Sequence, residues 1–203
     1  MDNFESETKK PINFHLRIMK TLKSILTVFA LAAVFSSASF AQETQDIAAS
    51  AVVLADISLT FASDVSFGNI QDTGSPVLDP QGTNTADVGA GATFGSFSIS
   101  ANGSTQLLID WDQTTVTLND GGANNLDFTP DVSASNTATI GTSSDVTKNT
   151  ANAATATSAG GALTVYVGGS LETSGGGAMS GEAAGTYTSA NGSGDLTFTV
   201  NYQ

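Results

Sequence analysis

At 203 residues with no cysteine, the chain suits one domain held by a single core, and disulfide frameworks and thiolate chemistry are excluded. Apolar residues make up 40% and charged residues only 12%, a balance that opposes the highly charged kind of disorder. The formal net charge of −13 makes nucleic acid and anionic lipid poor partners for its surface.

The first element in chain order is an apolar run over residues 25–35, "ILTVFALAAVF". Lys20 and Lys23 precede it, and Ser39 and Ala41 follow at the small-residue positions of a cleavage site. This pattern predicts a secretory signal peptide over residues 19–41, cleaved between Ala41 and Gln42. A spanning helix needs about 20 apolar residues, so no stable membrane insertion is expected once the signal is removed. Residues 1–18 carry Asp2, Glu5 and Glu7 where an export signal should be basic; they read as a misassigned start or an extended n-region. The expected location is secreted, periplasmic or on the cell surface.

Cleavage there removes five of the six basic residues and His15, the only histidine. Lys148 is left alone against sixteen carboxylates. Without His, Cys or Arg the remaining chain cannot build a Ser-His-Asp or Cys-His nucleophile, a histidine zinc site or an arginine clamp for phosphate. The expectation is a protein without enzymatic activity and without a cofactor.

After residue 41 strand patterns dominate, and no stretch sustains a 3.6-residue apolar period. In "AVVLADISLTF" (51–61) Ala51, Val53, Ala55, Ile57, Leu59 and Phe61 share one face, while Asp56, Ser58 and Thr60 share the other. That alternation predicts a half-buried strand. Further strands are expected over 65–70, 96–101, 106–111, 115–118, 126–132, 162–167 and 196–202. Turn signals punctuate them: "DPQG" at 79–82, Asn-Gly at Asn102 and Asn191, and Gly-Gly at Gly121 and Gly160. The stretch 133–161 is rich in Ala, Ser and Thr, with Ile140 and Val146 as its large apolar residues, and reads as a flexible low-complexity loop or a weak edge element. About eight short strands predict an all-β fold, a single immunoglobulin-like β-sandwich over 42–203.

Two stretches hold chemistry-bearing side chains. "DWD" places Asp110 and Asp112 on one face of a strand beside Trp111, an arrangement open to paired-carboxylate glycoside hydrolysis. Any solvated strand face can show the same spacing, and no basic or histidine partner is apparent to tune a carboxylate, so a catalytic role is not expected. "NDGGANNLD" (119–127) is rich in the oxygen ligands that calcium favours, with Asn119, Asp120 and Asp127 as candidate ligands. It lacks the D-x-D-x-D-G spacing of a calcium loop, and the same residues suit a hairpin turn. The Thr-x-Thr pairs, such as Thr115 with Thr117, are too scattered to form one regular ice-binding array.

The chain closes on "LTFTVNYQ", where Leu196, Phe198, Val200 and Tyr202 share one face. Two packings explain it. In the expected one, the strand lies beside 51–61 within the same molecule; in the other, it is an assembly strand by which subunits are recognised through strand addition.

Three segments together resemble the secreted bacterial family called domain of unknown function 4402 (DUF4402): "DVSFGNI" (64–70), "LTVYVGGSL" (163–171), and "GTYT" (185–188) with the closing "LTFTVNYQ". The order matches from about Ala51 to the end, with the "YVGGSL" and terminal pieces the most specific. "SANGSGD" (189–195) separates "GTYT" from the last strand by more than the family pattern leads one to expect. The resemblance implies an exported β-sandwich, similar to pilin and adhesin subunits, with no assigned activity. The expected function is therefore a non-enzymatic structural or adhesive surface subunit that binds itself or other surface subunits. The alternative is a secreted or periplasmic binding module for glycan or calcium.

Overall fold

The computed structural model describes residues 50–203; the signal, its cleavage point at Ala41 and Gln42, and the residues before it lie outside the described residues. Contacts divide the chain between Ala51 and Val52, and all the strands described belong to the unit Val52–Gln203.

The fold is all-β and antiparallel. Its main sheet carries, in spatial order, β1 (Ser58–Ser63), β4 (Gly95–Ser100), β9 (Ala162–Thr173), β7 (Asn125–Ser135) and β6 (Val116–Asn119). Two short strands extend it: β3 (Val77–Leu78) pairs with β9, and β8 (Ser144–Asp145) with β7. A second pair joins β5 (Leu107–Trp111) to β11 (Phe198–Tyr202), and a third joins β2 (Thr73–Gly74) to β10 (Met179–Ser180).

Period-two patterning explains how the main sheet chooses its faces. In β4 Phe97 and Ile99 turn inward and the serines outward; they stand opposite Val165 and Leu163 of β9. Val165 and Val167 stand opposite Ala134 and Val132 of β7, and Leu171 opposite Phe128. On β6, Val116 continues the same row against Phe128. Ile99, Leu163, Val165, Val116 and Leu126 are fully buried.

The β5–β11 pair packs over this inner face. Leu107 and Ile109 are wholly buried, and with Trp111 they join the same apolar cluster as the inner residues of β4, β7 and β9. The Phe198 ring bridges the layers, with centroid distances of 5.0 Å to Phe97 and 5.9 Å to Trp111.

The two glycines of "YVGGSL" mark where three strands crowd together. A Cβ on Gly168 would meet the Leu78 carbonyl oxygen at 1.9 Å; one on Gly169, whose φ is +145°, would meet the Thr129 oxygen at 2.1 Å and the Phe128 ring at 2.7 Å. Only glycine lets β3 and β7 approach β9 at this point.

Residues 133–161 carry the end of β7, β8 and two short 3-10 turns, Ile140–Thr142 and Ala153–Thr155. Ser133, Ser135, Val146, Thr155 and Thr157 are buried. Small hydroxyl side chains tolerate this because each finds a partner. Ser133 donates to Ser143, Ser135 shares hydrogen bonds with Thr137 and Thr142, and Thr157 donates to the Asn102 carbonyl. The stretch also fastens β5 in place, through Asn149 N–H to the Ile109 carbonyl at 2.8 Å and Thr157 N–H to the Thr105 carbonyl at 2.9 Å.

Seven of the eight expected segments contain strands, and four two-residue strands join them. Three expectations are corrected. Residues 65–70 form only isolated bridges, Ser66 with Thr93 and Asn69 with Ala90. Gly68, at φ +69° and pressed against the Ala90 carbonyl, breaks the ladder there. The first strand starts at Ser58 rather than Ala51. The terminal strand pairs with β5, not with 51–61; the Tyr202 hydroxyl donates to the Ala55 carbonyl of that stretch at 2.6 Å.

Candidate functional site

A site can be traced from the way the covering layer ends. Directly opposed residues of an antiparallel pair point to the same side of the sheet. Leu59 stands opposite Ile99 and Phe61 opposite Phe97, so both belong to the inner face. Yet Ile99 is 1% exposed, Leu59 47% and Phe61 68%. The cover stops at β11, which rests over β4 through the Phe97–Phe198 contact, and β1 lies beyond it.

The result is a groove of about 500 Å³ bounded by Phe61, Phe97, Val167, Leu196 and Phe198, with Asp64 and Asp195 at its rim. A second cleft of about 500 Å³ adjoins it, sharing Val65, Phe128, Ser189 and Leu196, and runs on between Ile70, Leu118 and Tyr187. The Tyr187 hydroxyl donates to the Ala183 carbonyl at 2.9 Å. Partial burial, with the charges of Asp120, Glu182 and Asp72, pushes its pKa up.

The polar side of the groove is the edge of β11. The Asp112 N–H donates to the Thr197 carbonyl, and the Gln203 N–H to the Gln106 carbonyl. In this register Thr197, Thr199, Asn201 and Gln203 turn their main-chain groups toward β5, and Phe198, Val200 and Tyr202 turn theirs to the other side. Among the described residues no strand pairs with β11 on that side. The half-burial of Phe198, Val200 and Tyr202 follows from the same missing neighbour.

The carboxylates singled out in the sequence each make local contacts. Asp110 accepts from the Trp111 N–H at 2.9 Å and lies 3.7 Å from the Lys148 ammonium, which also sits 5.8 Å from the Trp111 ring centre. The partner that seemed lacking for Asp110 is thus Lys148, brought up from the middle of the 133–161 stretch. Asp112 accepts from the Thr197 N–H at 3.0 Å, closing the end of the β5–β11 pair. That hydrogen bond is the main reason its pKa is held down.

Asn119 ends β6, Asp120 opens the β6–β7 connection, and Asp127 lies on β7. Asn119 accepts from the Gly121 N–H, and its amide donates to Asn125. Asp120 accepts from the Asn124 side chain and the Gly122 N–H, which hold its pKa down. Asp127 accepts from the Gly175 N–H at 3.2 Å. Among the described residues no three or more His, Cys, Asp or Glu side chains are grouped to hold a metal ion.

Leu59 and Phe61 were expected to be buried in the sequence reading, and the groove was missed there. Alternation tells which face a residue takes but not whether the opposite layer reaches it. Searches against family models, curated proteins and solved structures gave no match to this chain.

Proposed function

We propose that this chain is an exported, non-enzymatic surface protein, a structural or adhesive subunit built as an immunoglobulin-like or pilin-like β-sandwich whose second layer is one strand short. The observation that carries this reading is the uncovered inner face at Leu59 and Phe61 beside the open edge of β11. Monomeric folds blunt or cover such edges, because unpaired main-chain groups beside apolar side chains template the addition of another strand. A surface subunit uses that property, and the apolar run over 25–35 in the sequence fits a route out of the cell.

Immunogold electron microscopy of intact cells, with the intact mass of the exported protein, tests the proposal. Surface label and a mass beginning at Gln42 support it; a product confined inside the cell and retaining residues 25–35 contradicts it. The non-enzymatic part has its own test. Replacing Asp110 and Asp112 together by Asn leaves the fold and the surface label intact, whereas a glycoside-hydrolysing activity lost in that double variant would show the pair to be catalytic.

A further inference from the structure

We propose that the groove between β1 and the open edge of β11 receives the N-terminal segment of a second copy of this chain, which adds to β11 as a strand. This inference rests on the surface-subunit reading and names its partner.

The acceptor consists of the outward main-chain groups of Phe198, Val200 and Tyr202 and the apolar floor formed by Phe61 and Phe97, with exposed Leu59 two residues before Phe61 on the same face of β1. A strand there would satisfy the open edge and cover both exposed side chains of β1 at once. Along β11, five residues long, the ladder extends for about 17 Å at about 3.3 Å per residue.

The donor is carried by the same chain. The large apolar side chains exposed among the described residues are Val52, Val53, Leu54, Leu59 and Phe61. Phe61 lines the groove, and Leu59 shares its face of β1. The other three stand immediately before β1, outside regular structure, with Val52 83% and Val53 92% exposed. In the sequence they end an uncharged run, Ile47 to Ala55, between Asp46 and Asp56. Charge favours this occupant. The rim carries Asp64 and Asp195, and residues 42–203 have Lys148 as their one basic side chain against sixteen carboxylates. An acidic segment would meet like charges, and a neutral one does not.

Val52 and Val53 are too exposed to be seated in the groove of their own chain. Tyr202 holds the Ala55 carbonyl at the C-terminal end of β11, and Ile57 already packs on the core. Folding back would require the chain to reverse at Asp56 and these two contacts to give way. Donor and acceptor lie on different parts of one chain, so the contact is head-to-tail, and it propagates wherever its rotation does not close a ring.

The test uses the protein in the form its own cell produces, with Val53→Asp (spoiled donor) and Phe61→Asp (spoiled acceptor), followed by size-exclusion chromatography with light scattering. Both positions are solvent-exposed, and circular dichroism checks folding. The wild type is expected to form open-ended oligomers as concentration rises. Each variant alone is expected to be monomeric at tenfold higher concentration, and an equimolar mixture to stop at dimers. A synthetic peptide spanning Asp46 to Asp56 provides a second readout. It is expected to bind Val53→Asp at least tenfold more tightly than Phe61→Asp; should Phe61→Asp not fold, its excess is expected to dissociate wild-type oligomers to monomers. Self-association of either variant like that of the wild type, a wild type monomeric at all concentrations, or a mixture that stays monomeric would overturn the inference. Surface immunogold separates this from failure of the wider reading. Label that persists while both variants still polymerise removes the donor-groove contact and leaves the subunit; loss of label from wild-type cells removes the subunit reading while the solution contact stands.

Discussion

Phe61 stands directly opposite Phe97 across the β1–β4 ladder, yet Phe61 is 68% exposed while the Phe97 ring packs 5.0 Å from Phe198. Two side chains of one type, paired on one face, differ only in what lies above them. The β11 strand covers one and stops short of the other, and from that boundary come both the groove and the open edge.

Phe198 ties the cover to the main sheet, so its truncation loosens the β5–β11 layer. Phe198→Ala is expected to cost about 2 kcal/mol, below the roughly 3–5 kcal/mol of a fully buried ring because this one is half-buried. Chemical denaturation followed through Trp111, the chain's single tryptophan, measures it. The red shift of native-state emission expected for a partly uncovered Trp111 would be absent if Phe198 packed elsewhere.

Gly169→Ala is expected to be among the most damaging small substitutions. It places a methyl group against the Thr129 oxygen and the Phe128 ring at φ +145°, with backbone strain alone of about 1–3 kcal/mol. Gly160→Ala, whose nearest neighbour would be the Ser158 hydroxyl at 3.8 Å, should stay within about 0.5 kcal/mol. Thermal melts of the two variants compare them directly, and equal melting temperatures would contradict the crowding of β3, β7 and β9.

Two carboxylates pull the acid response in opposite directions. Burial alone would raise the pKa of Asp79, but hydrogen bonds from the Thr83 hydroxyl and the Gln81, Asn84 and Thr83 N–H groups prevail and hold it below its ordinary 3.8. Its contribution to stability is present above the unfolded value and lost as pH falls through the lower folded one. Asp131 behaves oppositely: crowding of its carboxyl, then the charges of Asp145 and Asp79, push its pKa above 3.8. The folded state takes up that proton first, so stability rises as pH falls from neutral through the folded value, then levels off near 3.8. Asp131→Asn should therefore raise the melting temperature at pH 7 and lose that advantage by about pH 3. Asp79→Asn should lower it at pH 7, with the deficit shrinking below pH 3.8. A pH series of melts on both variants checks the signs.

Much of the sheet was legible in the sequence because alternation in "GSFSIS", "LLIDW" and "ALTVYV" coincides with a buried inner face. The glycine pair of "YVGGSL" was quotable as a motif, but its reason, the pressure of Leu78 and Thr129 on β9, is a tertiary contact. The stretch 133–161 looked like a loop because large apolar residues are sparse; its order rests on buried hydroxyls such as Ser133 and Thr155, which composition counts as polar. The partner of β11 was misread because Leu107–Trp111 and 51–61 carry equally good patterns, and only the packing of Phe198 and Trp111 distinguishes them. For the same reason Lys148 was not matched to Asp110, which lies 38 positions away in sequence.

Amide hydrogen exchange along β11 tests the central claim, an open edge awaiting a strand, most directly. In the monomer the Thr199 and Asn201 amides, turned toward β5, should be protected, and those of Phe198, Val200 and Tyr202 should exchange at least tenfold faster. Adding the Asp46-to-Asp56 peptide in excess should bring the second set close to the first. Equal protection of all five amides in the peptide-free monomer would mean that the edge is already paired, and the account would fail.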